Sequence, residues 1–201
     1  MKGILFKSEM LRAVTERKKT VTRRLLKPQP AKGTVRLEHT SKNYFIERWL
    51  VDLRGLYPGS EPTTILGNLH KSRYQVGEVL YIKEAWWGQG GDIYYKSDWL
   101  TSKPVNMFFD GGKWKSPLFM PKWAARYFIL IKDVRSERLQ EITEEDAVKE
   151  GDPAQGLIAS ENDHRTWFQH QWNSINKTYP WESNDWVWRY EFELTAGNKG
   201  E

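Results

Sequence analysis

Lys18-Lys19-Thr20-Val21-Thr22-Arg23-Arg24 packs four cations and two hydroxyls around a single apolar residue. As a strand, this stretch puts Thr20, Thr22 and Arg24 on one face and Val21, Arg23 and Leu25 on the other, because side chains alternate along extended backbone. Lys19 then stands at a helix-to-strand junction beside the hydroxyls. Two readings stay open on spacing alone. The stretch is either a site that attracts phosphate or activates a hydroxyl beside an ammonium, or the basic, solvated end of a helix.

Working outward, Ile4-Leu5-Phe6 reads as a short strand and Ser8 as the N-cap of a helix running to about Arg17. Met10, Leu11, Ala13 and Val14 give that helix its apolar stripe. The strand Thr20 to Leu26 closes at Lys27-Pro28-Gln29-Pro30. Residues 28–75 are punctuated by Pro and Gly with weak periodicity and read as a long excursion, with a strand or helical turn at Arg48 to Leu53. Strands follow at Val79 to Trp86, Ile93 to Lys96 and Arg126 to Val134, with a tight turn at Asp110-Gly111-Gly112.

Thr143-Glu144-Glu145-Asp146 reads as a capping box opening a helix that stops at Gly151. Glu150 falls in the last turn of that helix, where the dipole disfavours a carboxylate and a partner cation would justify one. Phe168, Trp172 and Ile175 mark a further helix, and Trp186 to Leu194 a closing strand before a polar tail at 196–201. The pattern predicts one domain over 1–195, an α+β fold built around a small mixed β-barrel flanked by short helices.

The 201 residues carry a net charge of +5, unevenly spread. Residues 1–36 hold eleven Lys/Arg against two Glu, and residues 133–163 hold ten acids against three bases. The basic segment suits a polyanion; alternatively, the two segments face each other across the fold. Eleven Trp, nine Tyr and eight Phe exceed ordinary usage, and most belong in the core, with any exposed remainder suited to stacking on bases. The absence of cysteine excludes disulfides, thiolate metal sites and cysteine nucleophiles. No apolar run approaches the about 18 residues of a membrane span, and Met1 to Phe6 is too short for a signal peptide, so a cytoplasmic protein is expected.

Gly88-Gln89-Gly90-Gly91 lacks the Lys-Ser/Thr of a phosphate loop and reads as a turn. The four histidines, His39, His70, His164 and His170, show no metal spacing, and no cofactor is expected. No Gly-x-Ser-x-Gly elbow occurs. Covalent chemistry therefore falls to Thr or Ser with a Lys or carboxylate base.

The helix followed by Arg17-Lys18-Lys19-Thr20-Val21-Thr22-Arg23-Arg24 resembles the signature of the ASCH family, within the PUA-like superfamily. So do Val76 to Leu80, Leu139 to Gly151 and the closing Trp186-Val187-Trp188, in that order. Lys83-Glu84-Ala85-Trp86 and Met120 to Arg126 further resemble the larger ASCH proteins of phages and prophages. The resemblance touches most of the chain except 28–75 and 88–118, which stand as insertions.

It implies a PUA-like pseudo-barrel with a cleft for RNA or a modified base. It also implies kinship with small amidohydrolases that remove acetate from N4-acetylcytidine by means of a Lys, a Thr and a Glu. Those roles fall on Lys19, Thr22 and Glu150, with Arg24 at the basic position that follows. Substrate or nucleic-acid contacts are expected from Arg17, Lys18, Thr20, Arg23, Arg24, Glu84 and Trp86.

An ordinary lysine titrates near about 10.4. Crowding by Arg17, Lys18, Arg23 and Arg24 would disfavour the Lys19 ammonium and free its amine to act as a base. Arg23, where the small enzymes carry an apolar residue, favours a phosphate-bearing substrate. Three functions remain in play: a hydrolase acting on a modified nucleoside, nucleotide or base; a non-catalytic RNA- or DNA-binding module; and a ribonuclease.

Overall fold

The protein is described by a computed structural model covering residues 1–32, 34–41, 44–51, 63–89, 92–101, 113–153 and 163–196. The chain runs β1 (Lys2–Leu5), α1 (Ser8–Thr15), β2 (Val21–Leu25), β3 (Thr34–Ser41), β4 (Tyr44–Val51), β5 (Thr63–Lys71) and β6 (Val79–Lys83). It continues through β7 (Trp86–Gln89), β8 (Asp92–Tyr95), α2 (Lys96–Thr101), β9 (Phe128–Arg138), α3 (Glu144–Lys149), α4 (Asp163–Ile175) and β10 (Trp186–Thr195). No helix among the described residues is long and apolar enough to cross a membrane.

This is the expected mixed α+β fold, but its sheets do not close into a barrel. Five strands form one sheet in the order β1-β6-β9-β10-β2, leaving β1 and β2 as unjoined edges. β1 runs parallel to β6, and the other pairs are antiparallel. The two edges nevertheless approach: the Arg24 side chain on β2 donates to the Leu5 carbonyl of β1 at 2.5 Å. A side chain thus spans the seam where a barrel would have a backbone ladder.

The inner face of this sheet carries the main core, with Ile4, Leu80, Ile82, Ile129, Ile131 and Tyr190 all 1% exposed or less. A second cluster gathers Tyr81, Trp86, Met120, Ala124 and Phe128. A third, of Leu139, Ile142, Ala147, Phe168, Trp172 and Val187, seats α3 and α4 against the sheet.

Several boundaries differ from the sequence reading. Ser8 is the first helical residue of α1 rather than its cap; Lys7 holds the cap position and makes no side-chain hydrogen bond there. The helix ends at Thr15 because the chain turns sharply. Arg17 adopts φ 59°, and the amides of Lys18 and Lys19 both donate to the Ala13 carbonyl. β2 begins at Val21, not Thr20, since the Thr20 amide is drawn to the Lys149 carbonyl at the end of α3.

The excursion at 28–75 contains an antiparallel sheet, β3-β4-β5. Ile65, Leu66 and Leu69 of β5 are exposed while Glu47 of β4 is fully buried, so apolar alternation does not betray the strands. The suggested element at Arg48 to Leu53 falls in β4 as far as Val51; Asp52 and Leu53 lie outside the described residues. Gly88 and Gln89 belong to β7, paired with β8, whereas Gly90, Gly91, the turn at Asp110-Gly111-Gly112 and the tail at 197–201 lie outside.

Candidate functional site

Three elements converge on the start of β2. The turn after α1 delivers Lys19, β2 delivers Thr22 and Arg24 two residues apart, and the C-terminus of α3 delivers Glu150. The α3 N-terminus is fixed by Thr143, whose hydroxyl accepts from the Asp146 amide at 3.1 Å. Its far end is fixed by Gly151 at φ +96°, where an added Cβ would come within 3.0 Å of the Cβ atoms of both Ala13 and Lys19.

The Lys19 ammonium is buried and donates to the Glu150 carboxylate at 2.5 Å and to the Glu150 carbonyl at 2.7 Å. The carboxylate in the last turn of α3 therefore has the partner cation its position called for. Burial pushes the Lys19 pKa down; the ion pair with Glu150 opposes this, and Arg24 and Arg23 add smaller downward pressure. The direction expected from the sequence holds, but its main cause is desolvation. Arg17 and Lys18 play no part: both are exposed, and Lys18 pairs with Glu16 at 2.7 Å.

Arg23 is occupied within the fold. Its guanidinium donates to Glu137 at 2.6 Å, Asp146 at 2.6 Å and Glu150 at 3.2 Å, with the Phe168 ring 5.8 Å from its carbon. Burial disfavours its charge, but Glu150, Glu137 and Asp146 outweigh that and raise its pKa. The expectation that Arg23 faces a substrate phosphate is thus corrected: all three nitrogens point at carboxylates. Asp146 is held in turn by Arg189 at 2.9 and 3.0 Å. The network Arg189–Asp146–Arg23–Glu150–Lys19 braces the site from beneath.

Lys19, Thr22, Arg23, Arg24 and Glu150 line one small cavity of about 60 Å³, walled by Trp167, Phe168 and Trp172. A water needs only about 10–15 Å³, so this space holds a few waters or one small group such as an acyl. Beyond it opens a cavity of about 690 Å³, with Met10, Arg24 and Ile175 shared between the two.

The remaining sequence-predicted residues lie elsewhere. Thr20 sits in a backbone joint, its carbonyl accepting from the Phe192 amide, and lines none of these cavities. Glu84 lines the larger cavity but is tied to Arg126 at 2.8 Å and to Ser97. Trp86 packs in the second cluster, with the Lys115 ammonium 4.5 Å from its ring.

Sequence reasoning missed Glu137, Asp146 and Arg189 as members of the site. The available signal was Arg189 itself, a charge set between Trp188 and Tyr190 in the aromatic-rich closing strand. Among the described residues no cluster of His, Asp and Glu has the make-up to hold a metal ion.

No family model matches the chain, and no curated protein matches it. Among solved structures it is similar to the crystal structure of an ASCH domain from Lactobacillus crispatus JV V101. The two share 11% sequence identity with a TM-score of 0.36, over 92% of this chain and 70% of that one.

Proposed function

We propose that this protein hydrolyses an amide on a modified nucleoside, nucleotide or base, in the manner of the N4-acetylcytidine amidohydrolases that its motif resembles. The observation that carries this reading is a buried lysine, its pKa pushed down, sharing a small cavity with a threonine hydroxyl. Solvated lysines are poor bases at neutral pH, and desolvation is the standard means of making one available.

In the proposed cycle the neutral Lys19 amine takes the Thr22 hydroxyl proton as Oγ1 attacks the amide carbonyl. The oxyanion forms within reach of Arg24, which lines the same cavity. Lys19 gives its proton to the leaving amine as the C–N bond breaks, leaving an acyl ester on Thr22. Water then attacks the ester with Lys19 again as base, and Thr22 recovers its proton as the acid departs. Glu150 holds the amine in line throughout.

The rival reading is a nucleic-acid-binding module without chemistry. The close Lys19–Glu150 ion pair favours it, since a paired ammonium also serves a purely structural role. Turnover of a panel of N-acylated nucleosides, nucleotides and short RNAs by wild type and Thr22→Ala separates the two. Hydrolysis falling about a thousandfold or more in the variant supports the hydrolase. Binding without turnover, equal in both proteins, overturns it.

A further inference from the structure

The open seam between β1 and β2 is itself a cavity, of about 380 Å³, and its charge is one-sided. Arg24, Lys27, Lys71 and Arg73 line it, and no Asp or Glu does. Among the described residues none of the four makes an ion pair. Each cation instead lies against an aromatic ring: Arg24 on Phe6 at 5.5 Å, Lys27 on Tyr179 at 5.3 Å, Lys71 on Tyr44 at 5.3 Å and Arg73 on Tyr74 at 5.5 Å. Rings hold cations in place without neutralising them.

The contrast with the rest of the site is sharp. Lys19 and Arg23 meet carboxylates from α3 and β9, and the larger cavity beside the site carries Glu9 and Glu84 among its cations. At the seam the local carboxylate, Glu78, is already held by Lys2 at 3.0 Å. The phenols add no negative charge either, since burial raises Tyr74 and pushes Tyr190 up to about 12. Burial weighs against the Arg24 charge; Glu150, across the small cavity, offsets part of that at long range, and Arg73 adds like-charge repulsion. An anion placed between Arg24 and Arg73 relieves both.

Arg24 and Leu25 are common to the seam cavity and to the small cavity holding Lys19 and Thr22. The two cavities therefore adjoin at these β2 residues. We infer that the β1–β2 seam is a phosphate subsite, in which Arg24, Lys27, Lys71 and Arg73 receive a phosphate carried by the same molecule whose acylated end enters the Thr22 cavity. This deepens the proposed function and rests on it for the identity of the acylated end: the substrate is a phosphorylated nucleoside or a nucleic-acid strand, not a free nucleoside. The phosphate can be a terminal monophosphate or a phosphodiester, and the two are separable.

The test is an NMR titration of the wild-type chain and of Arg73→Ala and Lys71→Ala, both changes at exposed positions. Four probes are used: inorganic phosphate, N4-acetylcytidine, its 5′-monophosphate, and a short RNA carrying the same base internally. Inorganic phosphate alone should shift the backbone amides of Arg24, Arg73 and Tyr74, and the shifts should weaken in either variant. The monophosphate or the RNA should bind about tenfold or more tightly than the nucleoside, in line with charge-assisted hydrogen bonds to phosphate. That ratio should fall toward one in the variants.

Preference for the monophosphate over the RNA assigns a terminal phosphate; the reverse assigns a phosphodiester. If inorganic phosphate shifts nothing at the seam and nucleoside and monophosphate bind alike, the inference is overturned while hydrolysis of the nucleoside keeps the proposed function alive. If phosphate binds at the seam but no acylated probe is turned over, the subsite stands and the hydrolase reading falls.

Discussion

In β2 the guanidinium of Arg23 meets Glu137, Asp146 and Glu150, whereas Arg24, one residue on, donates to the Leu5 carbonyl at the seam. Strand alternation divides the basic run into a braced half and an available half. Lys19 belongs with the braced half through Glu150, which works against the burial that depresses its pKa.

Replacing Glu150 by Gln removes that opposition and leaves a buried ammonium with its counter-ion gone, a change costing about 3–5 kcal/mol. The sign of its pH dependence follows from linkage. With the folded pKa of Lys19 lowered further below the unfolded value of about 10.4, the unfolded chain binds more protons across that window, so stability rises with pH. Urea denaturation of Glu150→Gln should therefore show a loss at neutral pH that shrinks as pH climbs toward about 10. A deficit independent of pH contradicts this role for Glu150.

At the scale of elements, α3 acts as a short rigid arm that presents Glu150. Its stop at Gly151 was legible because glycine is the usual residue where a helix ends in left-handed backbone. Here the φ of +96° and the packing against Ala13 and Lys19 both require it. Gly151→Ala should cost about 1–3 kcal/mol in denaturant midpoint and disturb the Lys19 position, because the new methyl enters the space of that residue's own Cβ.

The capping box was half legible. Thr143 caps as the pattern implies, but the Asp146 carboxylate reaches Arg23 and Arg189 rather than closing the box. A local motif predicted that position, and long-range charge overrode it. The β3-β4-β5 sheet was not legible for a different reason: with Leu66 and Leu69 exposed and Glu47 buried, its strands carry no clean period-two signal.

Across the whole molecule, the basic segment at 1–36 and the acidic segment at 133–163 were readable as complementary, and Lys19–Glu150, Arg23–Glu137 and Arg23–Asp146 join them. What the sequence did not disclose is that this pairing is partial and leaves Arg24 and Lys27 to combine with Lys71 at the end of β5 and Arg73 just after it. The barrel implied by the family resemblance fails to close at that same place, since β1 and β2 remain edges.

The joining charges also set the acid stability of the fold. Burial opposes ionisation of Asp146, but Arg189 and Arg23 outweigh it and hold the carboxyl well below the ordinary carboxylate range. A carboxylate with a depressed folded pKa contributes stability that is present above about pH 4 and lost as pH falls toward that folded value. Denaturation midpoints of the wild type should therefore drop on acidification below about pH 4, and Asp146→Asn should be weaker at neutral pH with a flatter acid limb. Parallel acid limbs in the two proteins contradict this.

The chemistry depends on whether Lys19 can lose its proton inside the fold. The most direct measurement is an NMR pH titration of the Lys19 side-chain ammonium in the full-length protein, assigned against Lys19→Arg, which needs no substrate. The result expected is a Lys19 midpoint below the about 10.4 of an ordinary lysine. A Lys19 midpoint at or above that value would show Glu150 winning over burial, leaving a permanently charged structural lysine and removing the base from the proposed reaction.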